Sequence, residues 1–283
     1  MNLACEMHFV SRGDGRLIAS FDDTFRHRFE AADGFLALPS IVIVFVVTAF
    51  WALVSYAIHR CIVPLLCGAD GRKLGKFEAE VTSQIAVAFG LLISFNAVWI
   101  WDRAERVRCA VVDEGVALTA VVTDAEMMAD RVARDAICAS VAAYATYLID
   151  VEWPMLTDSS AQRTRPLEFK ELTRLVRASG EEHMRNALND AETARDVRVR
   201  DGLIHMAPSR WSVVLLLAVL LLISIGALHG DGPRGRLLAL TLVTLAVSVC
   251  FSVLLLHARP FIGEMALQPD DLREVVFRAK SES

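Results

Sequence analysis

Four stretches of this chain are too long, too apolar and too free of charge to suit most soluble folds. The first runs from Phe35 to Val63, with no charged side chain between Ile41 and Ile58. Val81 to Trp101, Trp211 to Leu228 and Leu237 to Leu256 carry none at all. Each approaches the roughly 20 residues that cross a bilayer core at about 1.5 Å per residue. The fold predicted is therefore all-α and polytopic, with four transmembrane helices in two pairs. Trp99, Trp101 and Trp211 lie at window ends, with Arg103, Arg210 and Arg259 just beyond, as membrane interfaces favour. The first 34 residues hold Glu6, Asp14, Asp22, Asp23, Glu30 and Asp33 and no apolar core. The first window thus reads as an uncleaved anchor, not a signal peptide.

The expected organisation is a segment 1–34, spans at 35–63, 81–101, 211–229 and 237–257, short connections at 64–80 and 230–236, an insert at 102–210 and a tail at 258–283. Basic residues near membrane ends set orientation. Arg26, Arg28, Arg103, Arg106, Arg108, Arg195, Arg198, Arg200, Arg210, Arg259 and Arg273 lie on one side, against Arg60, Arg72, Lys73, Lys76, Arg234 and Arg236 on the other. The insert and both termini are accordingly expected in the cytoplasm. With 29 Lys+Arg against 34 Asp+Glu, the net charge of −5 offers no basic surplus for nucleic acid, which is not an expected partner.

Between Asp102 and Val151 there is no proline and only Gly115, so the second span is expected to continue as one rod of about 75 Å. Val107, Val111, Leu118, Val121, Ala125, Met128, Val132, Ala136, Ala139 and Ala143 recur at steps of three and four, the seam of a helix packed on another helix. Asp130–Arg134, Arg131–Asp135, Glu181–Arg185 and Asp196–Arg200 are spaced to pair on solvated faces. Glu114 interrupts the seam and needs a partner: Arg195, Arg198 or Arg200 of the returning helix, or a bound cation. Trp153-Pro154 is expected to end the rod, Pro166 to restart helix, and Gly180 to separate a short helix from one over 181–206. The insert reads as an antiparallel helical hairpin.

The six cysteines, Cys5, Cys61, Cys67, Cys109, Cys138 and Cys250, form no CxxC pair, although Cys61 and Cys67 could bridge. The seven histidines lack HxxxH or HExxH spacing. No phosphate-binding glycine loop or nucleophile elbow is present. No metal, cofactor or catalytic residue is expected, and no enzymatic activity. Within the spans the polar residues are neutral. Ser83, Gln84, Ser94 and Asn96 lie on the second span, with Ala86, Gly90 and Ser94 at four-residue spacing; Thr241, Thr244, Ser248 and Ser252 stripe the fourth. Such residues let helices approach closely, or they line a pore narrowed by Phe89 or Phe95. The absence of charge within the spans disfavours a proton-coupled transporter but not a passive channel.

Gly90-Leu-Leu-Ile-Ser-Phe-Asn96, then Arg106 and Glu114-Gly-Val-Ala, resembles the second-span signature of the bestrophin-like integral-membrane family. Arg195, Arg198 and Arg200, Pro208 and Trp211, and above all Arg259-Pro260-Phe261-Ile-Gly263 leading to Gln268-Pro269, resemble its second half. The likeness covers about Phe35 to Val276. Pro260 would stop the last span and Gly263 would permit a tight turn. Where the family tends to have an acidic residue before the arginine, this chain has Ala258 after His257. The resemblance implies a homo-oligomeric ion channel, for anions, in the lipid bilayer of a bacterial cytoplasmic membrane. It marks Gly90, Ser94, Phe95 and Asn96 as pore candidates. A non-conducting scaffold or sensor whose insert binds a partner or ligand is the alternative.

Overall fold

The computed structural model describes residues 38–67, 79–157, 165–204, 208–229 and 232–281, and among these it contains helix and no strand. Helix α1 (Ser40–Ala57) passes through a π-helical turn, Ile58–Ile62, into the short α2 (Val63–Cys67). Helix α3 (Ala79–Glu126) is continuous over 48 residues. Helix α4 (Arg131–Tyr147) leads through a second π turn, Leu148–Glu152, into α5 (Trp153–Thr157). Then follow α6 (Leu167–Ser179), α7 (Glu182–Leu203), α8 (Pro208–Leu228), α9 (Pro233–His257) and α10 (Asp270–Ser281).

Two apolar cores share α3. Its first half packs with α1, α2, α8 and α9 around Trp51, Phe89, Ile93, Leu222 and Phe251. Trp51 meets the ring of Phe251 at 5.0 Å between centroids. Gly226 lets α8 approach α2, because a Cβ there would lie 2.6 Å from Cγ2 of Val63. Thr244, Ser248 and Ser252 are buried where α9 packs on its neighbours, the arrangement in which small and hydroxyl residues permit close approach. The second half of α3 packs with α4, α5, α6, α7 and α10 around Leu118, Tyr144, Leu148, Leu172 and Leu188.

Among the described residues five helices, not four, are long and apolar enough to cross a membrane: Ser40–Leu66, Ala79–Glu126, Arg131–Thr157, Ser209–Leu228 and Pro233–His257. The additional one, Arg131–Thr157, has the lowest mean hydropathy, 1.2, and turns its buried face into the second core.

The rod expected over 102–151 is broken. The backbone leaves α3 after Glu126, and Asp130 starts α4 by accepting the amides of Val132 and Ala133 on Oδ1, at 3.0 and 3.3 Å. Asp130 is thus a cap, and Arg134 pairs with Asp135 at 3.0 Å instead. The seam holds from Val107 to Ala125 and then changes phase. Val132 is 80% exposed and Ala139 and Ala143 face outward, while Ile137, Cys138, Val141 and Tyr144 turn inward. Folding back lets α4 bury this second face against the chain's own helices, which an isolated rod could not do.

Nor does Trp153-Pro154 end the helix. The preceding π turn carries it through, with the Trp153 amide donating five residues back to Leu148. The same device precedes Val63-Pro64, where the Val63 amide donates to Ile58. Proline removes one helical donor and crowds the carbonyl four residues back; a locally widened turn relieves both. The residues after 258, expected as a tail, include α10, whose Leu272, Val275 and Ala279 are buried against α3 and α4. The insert is therefore a multi-helix body completed by the C-terminal helix, not a hairpin. Segments 1–34 and 68–78 lie outside the described residues, as does the side chain of Cys67; Cys61, Cys109 and Cys250 are free thiols.

Candidate functional site

Arginines join the two cores. Arg103 of α3, 3% exposed, donates through one terminal nitrogen to the carbonyl of Ile204 and through the other to that of Ala258 at 3.0 Å. Ile204 caps the C-terminus of α7 and Ala258 that of α9. Carbonyls at helix ends lack in-helix donors and carry the negative pole of the helix dipole, so a guanidinium suits both. The Trp99 ring receives Arg103 at 5.5 Å and Arg210 at 5.1 Å. One turn further along α3, Arg106 bonds Asp102 and, at 3.0 Å, Asp201, which also accepts from Arg200 at 2.9 Å. Burial pushes the Asp201 carboxyl up, but hydrogen bonds from Arg200 and Arg106 outweigh it and hold it below its ordinary value.

Beyond this joint the charges are wholly enclosed. Glu114, at 0% exposure, accepts from Arg198 Nε at 2.7 Å and from the Tyr144 hydroxyl at 3.1 Å. Arg198 also donates to Glu152 at 2.7 Å, and Arg195 donates to Glu152 from Nε at 3.0 Å. Two arginines and two glutamates balance each other. Burial is the largest influence on Glu114 and raises its carboxyl. Burial also disfavours the Arg198 cation, but the two carboxylates overcome this and hold it above its ordinary value. The guanidinium of Arg198 lies 5.6 Å from the Trp153 ring, which meets Phe261 edge-on at 5.2 Å.

Arg259, Pro260 and Phe261 are buried, and Gly263 has φ 92° in the turn that follows. The Leu267 amide closes that turn onto the Pro260 carbonyl at 2.8 Å. A Cβ on Gly202 would come within 2.5 Å of Phe261, so α7 can lie against the ring only with glycine at this point. The chain leaving α9 is thereby wedged between α7 and Trp153, next to the charge network.

Of the three candidate partners for Glu114, the structure supplies Arg198. Arg195 serves Glu152, and Arg200 serves Asp201. Glu152 and Tyr144 are absent from the sequence reading. Two arginines spaced to share one helix face with a single seam carboxylate leave one positive charge unmatched, and that imbalance is a signal for a second acid.

The pore candidates do not share a face. Phe95 is 68% exposed, and Val87, Leu91, Val98 and Trp101 are exposed on the same side of α3. Ser94 is also exposed, its hydroxyl donating to the Gly90 carbonyl at 2.7 Å, and the side of Gly90 is open. Asn96, 6% exposed, points into the subunit and donates to the Leu92 carbonyl at 3.0 Å. Phe89 is buried with it.

At the distal end His183 Nδ1 lies 2.7 Å from Asp124, tying α7 to α3. The hydrogen bond and charge of Asp124 raise the imidazole above its ordinary value. A raised folded value means that the stabilisation is complete below the unfolded value and is lost as pH rises through the folded one. Melting temperature is expected to fall slightly as pH rises through that raised value, and His183→Gln should flatten the slope; an unchanged slope would exclude the pair as its source.

Helices of span length, stacked through buried arginines on a separate helical body, define an all-helical integral membrane protein. Over residues 72–272 the chain matches the model of the Bestrophin-like domain, and it belongs to the Bestrophin-like family. The match takes in Arg103, Arg106, Glu114, Glu152, Arg195, Arg198 and Arg259-Pro260-Phe261. Among curated proteins and among solved structures, nothing matches significantly.

Proposed function

We propose that this protein is a homo-oligomeric channel for ions, specifically anions, in a bacterial cytoplasmic membrane. Its spans are 35–63, 81–101, 211–229 and 237–257; the helix Arg131–Thr157 belongs to the cytoplasmic body, and both termini lie on that side. The observation that carries the reading is the outward face of α3, which no helix among the described residues covers. Ser83, Gln84, Val87, Leu91, Ser94, Phe95 and Val98 lie exposed on it with no charge among them. Copies arranged around an axis with this face inward would form a pathway of neutral polar rings and an apolar constriction at Phe95, without a carboxylate to repel anions. Family membership supports the same arrangement.

Purified oligomer in planar bilayers is expected to pass chloride, with Phe95→Ala raising unitary conductance and Asn96→Ala leaving it unchanged. Silent bilayers containing a well-folded oligomer would refute the reading.

A further inference from the structure

We propose that His257 sets the charge at the cytoplasmic mouth of the pathway and thereby makes anion passage depend on the pH of that side. This inference rests on the channel reading and adds a control on the same path. The last turn of α9 brings His257 against Trp101, the two rings meeting edge to face at 6.4 Å between centroids. Trp101 is half exposed and ends, toward the body, the row of outward side chains that includes Phe95 and Val98. The imidazole thus stands at the edge of the open α3 face, at the level where the charge-free run 81–101 gives way to Asp102.

Its hydrogen bond fixes which nitrogen can respond. Nδ1 of His257 lies 2.9 Å from the Val253 carbonyl, which can only accept, so Nδ1 carries the hydrogen. Nε2 is then the nitrogen that takes up a proton. The cation formed is accommodated in place, because it meets the negative pole of α9 at its C-terminus and the indole of Trp101. An acidic side chain at position 258 would cancel that charge, and this chain has alanine there.

The other charges at this level are balanced or turned elsewhere. Asp102 pairs with Arg106 and Glu105 with Arg108, while Asp201 takes Arg106 and Arg200. Arg103 is buried on the carbonyls of Ile204 and Ala258, Arg210 lies against Trp99, and Arg259 is buried. Glu264, in the turn after α9, lines a small depression with Leu38 and Ser40 at the start of α1. Among the described residues none of these groups bonds His257. The next acidic residue on the outward side of α3, Asp113, lies about 18 Å beyond Trp101 along the helix, more than the Debye length of about 8 Å at physiological salt. Of all these side-chain types only imidazole changes charge between about pH 5 and pH 8. In an oligomer each protonated imidazole adds one positive charge to a ring at the mouth, which concentrates anions at the entrance.

Single-channel recording in planar bilayers, with chloride as the permeant ion and each side buffered separately, tests this. Lowering the pH on the side of the cytoplasmic body from about 8 to about 5.5 should raise unitary conductance about twofold at 0.15 M salt. At 1 M salt the same change should do much less, because the Debye length shrinks to about 3 Å. His257→Gln should hold the low conductance and His257→Arg the high one, each without a pH response. A response that survives in His257→Gln, or one that is as large at 1 M salt, would overturn the proposal while leaving the channel reading intact. Silent bilayers containing a well-folded oligomer would overturn both.

Discussion

Arg198→Ala is expected to remove about 3–5 kcal/mol of stability, the cost of deleting one partner from a buried ionic cluster. The arginine is fully enclosed and touches both Glu114 and Glu152. Its loss leaves Glu114 with only the Tyr144 hydroxyl, in surroundings that already raise its carboxyl. The two carboxylates would face each other with Arg195 alone to balance them. Removing the acid together with the base separates these effects. In Arg198→Met with Glu114→Leu, Glu152 keeps Arg195 and no unbalanced charge remains, although the Tyr144 hydroxyl loses its acceptor. That double variant should recover more than half of the loss. Thermal unfolding in detergent, with limited proteolysis to locate where the chain opens, measures both. Equal stability of the single and double variants would show that the cluster acts by shape and not by charge.

Arg103→Ala is the second large effect, because the residue closes the joint between the membrane part and the body. Its removal leaves the terminal carbonyls of α7 and α9 without their donor, at a cost of about 1–3 kcal/mol for each that stays dry. It also removes the cation over Trp99. Arg103→Lys should rescue only part of this, since one ammonium cannot reproduce a fork that reaches two carbonyls on different helices. The diagnostic readout is cooperativity. Unfolding should separate into two transitions in Arg103→Ala, followed by near-ultraviolet dichroism and by proteolysis of 182–204. A single transition with an unchanged midpoint would mean that Phe261 and the surrounding apolar contacts carry the joint alone.

Much of this architecture can be read from local pattern. Charge-free runs locate the apolar helices because a membrane admits only long, internally bonded segments. The seam from Val107 to Ala125 is legible for the same reason that the anomaly at Glu114 is: a helix repeats its faces every 3.6 residues, so a carboxylate on the buried face stands out. The break at Met127–Asp130 is not legible in that way. It contains neither proline nor glycine, and in the sequence the three-and-four spacing runs on through Val132 and Ala136. Only the gain from packing Ile137, Val141 and Tyr144 against other helices favours the fold-back. The two prolines mislead in the opposite sense, since each π turn spends one residue to keep the helix going.

For the candidate site the limit is similar. The face of α3 that carries Ser94 and Phe95 outward and Asn96 inward follows from helical geometry once neighbours are known, but the sequence contains no marker of which side those neighbours occupy. The choice of Arg198 over Arg195 and Arg200 for Glu114 depends on the height at which α7 lies against α3, and the selection of Glu152 depends on the π turn that rotates it inward.

By itself, then, the sequence determined that this chain is helical, that it carries membrane-length apolar segments, that its charges collect outside them and that one carboxylate on a buried seam required a positively charged partner. Those properties depend on composition and periodicity within single segments. The tertiary structure decided where α3 ends, that the C-terminal residues complete the body, which charges share the enclosed cluster and which face of α3 stays open. Each of these is settled by contacts between segments far apart in the chain, where burial of one face is weighed against another, and no local pattern records that balance.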